Sequence, residues 1–81
     1  MRFILATDQT ITLAFEPSAT EHELQSGDEV TIELRGDVED GRVEIERGQL
    51  VVHTPTAGHA RAWNSAGAEL YVGPDSGPLA L

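Results

Sequence analysis

The sequence predicts an all-β fold: a small single-domain barrel or sandwich of about seven short antiparallel strands, with one short helical turn around residues 19–26. Three observations carry this expectation. Apolar residues recur with period two almost throughout, as in strands that bury one face. Gly, Pro, Asn and Asp interrupt the alternation at short intervals, as turns require. The chain has 81 residues and no cysteine. One apolar core over residues 1–73 must therefore hold the fold without disulfides or a Cys-based zinc site, and a flexible tail is expected over 74–81.

Met1 to Thr7 reads as the first strand and Thr10 to Glu16 as the second, with Ile11, Leu13 and Phe15 on one face and the polar Asp8-Gln9 link predicting a hairpin. The alternation stops after Pro17. Ser18 with Glu21 and Thr20 with Glu23 have capping-box spacing, in which a hydroxyl and a carboxylate satisfy free N–H groups at a helix start. Gly27 then suits a left-handed stop.

Alternation resumes with Val30, Ile32 and Leu34 and runs through Gly36 and Val38 to Asp40-Gly41, a strong two-residue hairpin signal. A second turn at Arg47-Gly48 sets Ile45 opposite Leu50 and Val43 opposite Val52. Residues 28–54 thus read as a three-strand meander whose outer face carries Glu33, Arg35, Asp37, Arg42, Glu44, Glu46, Val51 and His53. Pro55 and Gly58 break the pattern. The last two strands, His59 to Asn64 and Ala68 to Gly73, admit two registers. A four-residue turn over Asn64–Gly67 faces Ala60, Ala62, Leu70 and Val72 inward and Arg61, Trp63, Glu69 and Tyr71 outward. A two-residue loop at Ala66-Gly67 would instead set Trp63 beside Leu70, in the core.

The stretch Met1-Arg2-Phe3-Ile4-Leu5-Ala6-Thr7, followed by Thr10-Ile11-Thr12-Leu13 leading into Glu16-Pro17-Ser18-Ala19-Thr20, resembles the opening hairpin of ubiquitin-like β-grasp proteins. The resemblance covers about a quarter of the chain and implies that the two segments pair. Elsewhere the sequence departs from that family: the room for its helix is only Ala19 to Ser26, and no Gly-Gly pair is present for conjugation. No functional residue carries over.

Fourteen Asp and Glu stand against five Arg, with no Lys, for a formal net charge of −9 and a pI near 4.4. Such a balance argues against nucleic acid and anionic membranes as partners. The early apolar run Phe3-Ile4-Leu5-Ala6 is too short for a signal peptide or a membrane span, so a cytoplasmic protein is expected. Eight of the carboxylates fall between residues 28 and 48, and the only Trp and Tyr lie in the nearly neutral last third.

His22, His53 and His59 match no metal-ligand spacing, and neither a metal nor a cofactor is predicted. Ser18, Ser26, Ser65 and Ser76 lie in turns or the tail, away from any strand-to-helix elbow, and no glycine-rich phosphate loop occurs; catalysis is therefore not expected. Arg61, Trp63 and Tyr71, with His59 nearby, form the candidate partner-binding cluster, because rigid aromatics beside Arg concentrate binding energy. Glu33, Asp37, Glu44 and Glu46 form a candidate acidic face. The expected function is a non-catalytic protein–protein interaction or assembly module that pairs with itself or with a protein partner. One alternative is an acidic inhibitor, immunity-type or nucleic-acid-mimic protein that occupies a basic partner. Another is a small ligand- or metal-binding protein using His53 and His59.

Overall fold

The computed structural model of the protein describes residues 1–73, so the expected tail at 74–81 lies outside the described residues. Eight strands follow one another: β1 (Arg2–Ala6), β2 (Ile11–Glu16), β3 (Thr20–Leu24), β4 (Glu29–Arg35), β5 (Arg42–Glu46), β6 (Gln49–His53), β7 (His59–Asn64) and β8 (Glu69–Leu70). They form two four-stranded sheets, sheet I in the order β1-β4-β7-β8 and sheet II in the order β3-β2-β6-β5. The all-β expectation holds, as a sandwich. Among the described residues there is no helix, and hence none long and apolar enough to cross a membrane.

The core is the set of inward positions on both sheets. Val30, Ile32 and Leu34 of β4 meet Leu13 and Phe15 of β2 and Leu50 and Val52 of β6, with Leu24, Ala60, Ala62 and Val72 completing the buried cluster. Phe3, Leu5, Ile11 and Leu70 pack against it half-buried.

Two of the expected turns pair as read. β5 and β6 form a hairpin with Ile45 opposite Leu50 and Val43 opposite Val52. β7 and β8 pair Ala62 with Leu70 and Trp63 with Glu69, the register of the four-residue turn. Asn64 builds that turn, accepting the Gly67 N–H on its carbonyl and the Ala66 and Ala68 N–H groups on its side chain.

The other two expected hairpins are crossovers between sheets. β1 pairs with β4, antiparallel, and not with β2; β2 pairs with β3 and, in parallel, with β6. The β-grasp pairing is therefore absent. Likewise β4 lies between β1 and β7, so residues 28–54 are not one meander. Asp40, expected as a hairpin corner, instead accepts the Thr56 N–H at 2.7 Å and the Thr56 hydroxyl, which ties the β4–β5 crossover to the loop after β6. Gly41 packs so close to Pro55 that a Cβ there would come within 2.8 Å of its ring.

The expected helical turn is β3. Its alternation was hidden because a His and a Thr hold inward positions: Thr20, His22 and Leu24 are shielded while Glu21 and Glu23 are exposed. The Ser18 hydroxyl does not cap a helix but faces the carbonyls of Phe15 at 3.2 Å and Val72 at 2.8 Å. Gly27 does take a positive φ of 93°, in a turn closed by the Asp28 N–H on the Gln25 carbonyl. Type II turns need such a residue at their third position.

The tightest approach among the described glycines is at Gly58, whose Cβ would overlap the Arg35 carbonyl oxygen and stand 2.7 Å from the Gly36 Cα, against the end of β4. Gly58→Ala is expected to destabilise the protein by about 1–3 kcal/mol, the usual cost of overpacking. A drop in the urea midpoint at unchanged m-value measures it.

Candidate functional site, the outer face of sheet I

Alternation along β1, β4 and β7 sends Arg2, Ile4, Ala6, Glu29, Thr31, Glu33, Arg35, His59, Arg61 and Trp63 to one outer face. The register sets Arg2, Glu33 and Arg61 side by side across the three strands, and Ile4, Thr31, Trp63 and Glu69 across all four. Three of the chain's five arginines thus share this face. The guanidinium carbons of Arg2 and Arg61 lie 5.0 and 4.9 Å from the Trp63 ring centroid, within cation–π range.

Carboxylates sit beneath the cations. Arg61 grips Glu69 with two parallel hydrogen bonds, 2.8 Å from Nε and 2.7 Å from Nη2. Arg35 Nε is 3.3 Å from Glu33, and Arg2 stands 4.0 Å away on the other side. The side chains of Glu33 and Glu69 are only 11% and 17% exposed, against 63%, 67% and 44% for Arg2, Arg35 and Arg61. Water therefore meets positive charge here, on a chain of net charge −9.

The ion pairs set the titration of these groups. The Arg35 hydrogen bond holds the Glu33 carboxyl below the usual glutamate range; burial works against it, and the charges of Arg35, Arg2 and Arg61 lower it further. The Arg61 fork lowers Glu69 in the same way and is itself raised by Glu69.

Of the expected partner-binding residues, Arg61, Trp63 and His59 stand together on β7. The register keeps Trp63 on the outer face, half-buried, while Ala62 points inward. Tyr71 stands outside this network. It follows β8, and its backbone carbonyl receives the His22 ring nitrogen at 2.6 Å, a link that joins β3 to sheet I across the sandwich.

The expected acidic face does not assemble. Glu33 is buried among arginines on sheet I, Asp37 lies in the β4–β5 crossover, and Glu44 and Glu46 belong to sheet II. They separate because β4 and β5 are not neighbours. Sheet II has an acidic outer face of its own, with Glu16, Glu21, Glu23, Glu44 and Glu46 around the buried Ala14 and Val51. His53 stands there, paired with Glu44, whereas His59 is on sheet I, so the two histidines do not share a mouth. Among the described residues no group of three or more His, Asp or Glu side chains could hold a metal ion.

Arg2, Ile4 and the recessed position of Glu33 are not evident from the sequence, although Arg35 is expected on the same face as Glu33. Alternation alone put Arg2 and Ile4 on one face of β1; only the pairing of β1 with β4 brings that face beside Glu33 and Trp63. Comparison of the chain with models of known families, with curated proteins and with solved structures yields no significant match.

Because the folded-state pKa values of Glu33 and Glu69 lie below their unfolded values, their contribution to stability is complete above the ordinary glutamate pKa of about 4.3 and disappears as the pH falls through the folded values. Glu33→Gln should cost about 1–2 kcal/mol at neutral pH, in line with a hydrogen bond to a charged group, and flatten the acid limb of the stability profile. Urea titrations of both proteins at a series of pH values check the two effects together.

Proposed function

We propose that the chain is a non-catalytic protein-interaction module that docks a partner on the outer face of sheet I. The observation that carries this reading is Trp63, half-buried with the guanidinium groups of Arg2 and Arg61 against its ring and recessed carboxylates holding the arginines in place. Trp and Arg are the side chains that most often dominate interface energetics, and a pre-ordered arginine loses less freedom on binding. Ile4, 66% exposed in the row of Trp63, adds apolar area to the same face. The partner that suits it presents carboxylates beside an apolar side chain.

A second reading, docking of a basic partner on sheet II, is favoured by the five glutamates of that outer face. Substitution separates the two. A basic partner on sheet II loses affinity when Glu21 and Glu23 are replaced by Gln and keeps it in Trp63→Ala, whereas a partner on sheet I does the reverse.

Affinity capture with the wild-type protein and with Trp63→Ala in parallel, followed by titration of the captured partner, tests the leading reading. Trp63→Ala should keep its β-sheet circular dichroism and bind at least about thirtyfold more weakly, equivalent to roughly 2 kcal/mol. A folded Trp63→Ala variant that binds the same partner with unchanged affinity rejects it.

A further inference from the structure

The edge strand β5 breaks the rule that the inner faces of a sandwich are covered. It closes sheet II on one side, pairing with β6, and among the described residues no strand pairs with its other edge of N–H and C=O groups. Val43 and Ile45 are on its inward side, because they stand opposite the buried Val52 and Leu50. Yet Ile45 is 85% exposed and Val43 38%. Sheet I does not reach over them. Val38 and Met1 are exposed as well, around a cavity of about 450 Å³ that Leu34, Gly41 and Pro55 also line, at the end of the sandwich where β5 begins.

Free edges are usually blunted by short strands, charged side chains, inward-pointing charges, prolines or bulges. The inward side of β5 has only Val43 and Ile45, and its charges, Arg42, Glu44 and Glu46, are all on the other side.

We propose that β5 is a self-association edge, on which the β5 strand of a second copy pairs antiparallel about a two-fold axis at Glu44. The sequence Arg42-Val43-Glu44-Ile45-Glu46 is self-complementary in that register. Arg42 faces Glu46 of the second copy on the outer side, and Val43 faces its Ile45 on the inner side, each contact occurring twice by symmetry. The two Glu44 side chains meet at the axis, but each already has Arg42 at 3.4 Å and His53 as its own partners.

Other registers are poorer. A shift of one residue sets Val43 against Glu44 and turns the apolar side of one copy to the polar side of the other. A shift of two toward Glu46 opposes Glu44 to Glu46, and two toward Arg42 leaves only residues 42–44 paired within the strands. In the favoured register all five residues of β5 pair, the two four-stranded sheets become one eight-stranded sheet, and Val43 and Ile45 of each copy flank those of the other. This edge is separate from the Trp63 face, so the inference stands or falls without the interaction proposed there.

The test is sedimentation of the wild-type protein over a wide concentration range, alongside Ile45→Glu and Trp63→Ala. Ile45 is so exposed that its replacement leaves the monomer folded, which circular dichroism verifies. The wild-type protein should dimerise at high micromolar concentration, Ile45→Glu should weaken the dimer by about tenfold or more, and Trp63→Ala should leave it unchanged. Since the chain has no cysteine, Glu44→Cys reports the register directly. Facing Cα atoms in an antiparallel pair are about 4.5–5.5 Å apart, within disulfide range, so mild oxidation should link two copies through residue 44, and adding Ile45→Glu should suppress the link. A protein that stays monomeric throughout, or a dimer that survives Ile45→Glu, overturns the proposal.

Discussion

Burial of Phe15, Leu13, Ile32, Val30 and Val52 is the constraint on which the rest of the structure depends. These largest fully buried side chains come from three strands, β2, β4 and β6. β4 lies inside sheet I and β2 and β6 inside sheet II, so the bulk of the core sits where each strand has neighbours on both sides. At full burial such residues contribute roughly 1.5–3 kcal/mol each, enough to determine which strand goes where in a chain this short. β7 gives only Ala60 and Ala62 to the interior, and that side is closed by half-buried groups, Leu70 and the His22 ring reaching the Tyr71 carbonyl.

The same arrangement sorts the charges. Interior burial fixes the inward side of each strand, and the outward sides then fall into two groups. Sheet I gathers three arginines over two recessed glutamates, with a third, Glu29, exposed at the start of β4, and sheet II gathers five glutamates with Arg42. The net charge of −9 is thus carried by the outer face of sheet II and by the segments between strands, where Asp8, Asp28, Asp37, Glu39 and Asp40 lie, and not by the face of sheet I. Burying Glu33 would be costly for an isolated carboxylate, and the surrounding guanidinium groups offset that cost. Glu33 therefore belongs to the arginine face as its support and adds little negative charge to the surface that water meets.

How much was legible in the sequence follows from what alternation can report. It assigns faces within a strand, and so it placed Arg61 and Trp63 together and put Val43 and Ile45 level with Val52 and Leu50. It does not say whether a short link between two strands turns back within a sheet or crosses to the other one. Asp8-Gln9 and Asp40-Gly41 looked like hairpins on local grounds, and both are crossovers, because β2 and β5 complete sheet II while β1 and β4 pair with each other. β3 was missed for another reason: His22 supplies an inward position with a ring that also hydrogen-bonds, and no hydrophobic pattern marks it. The candidate site was half visible, since its β7 residues are close in sequence and its β1 and β4 residues are not.

The partners of β4 have a consequence for how the chain reaches this state. β2 with β3, β5 with β6 and β7 with β8 are neighbours in sequence, and their contacts close short loops. β4 has no such neighbour; it waits for β1 on one side and for β7 on the other. Loop-closure entropy must be met before distant contacts repay it, which places the assembly of sheet I after the local hairpins. Arg2, Glu33 and Trp63 come from three strands that meet only then. The β7–β8 hairpin by itself unites Arg61, Trp63 and Glu69, whereas Arg2 and Glu33 join them only through β4, so the complete arginine face exists only in the assembled sheet.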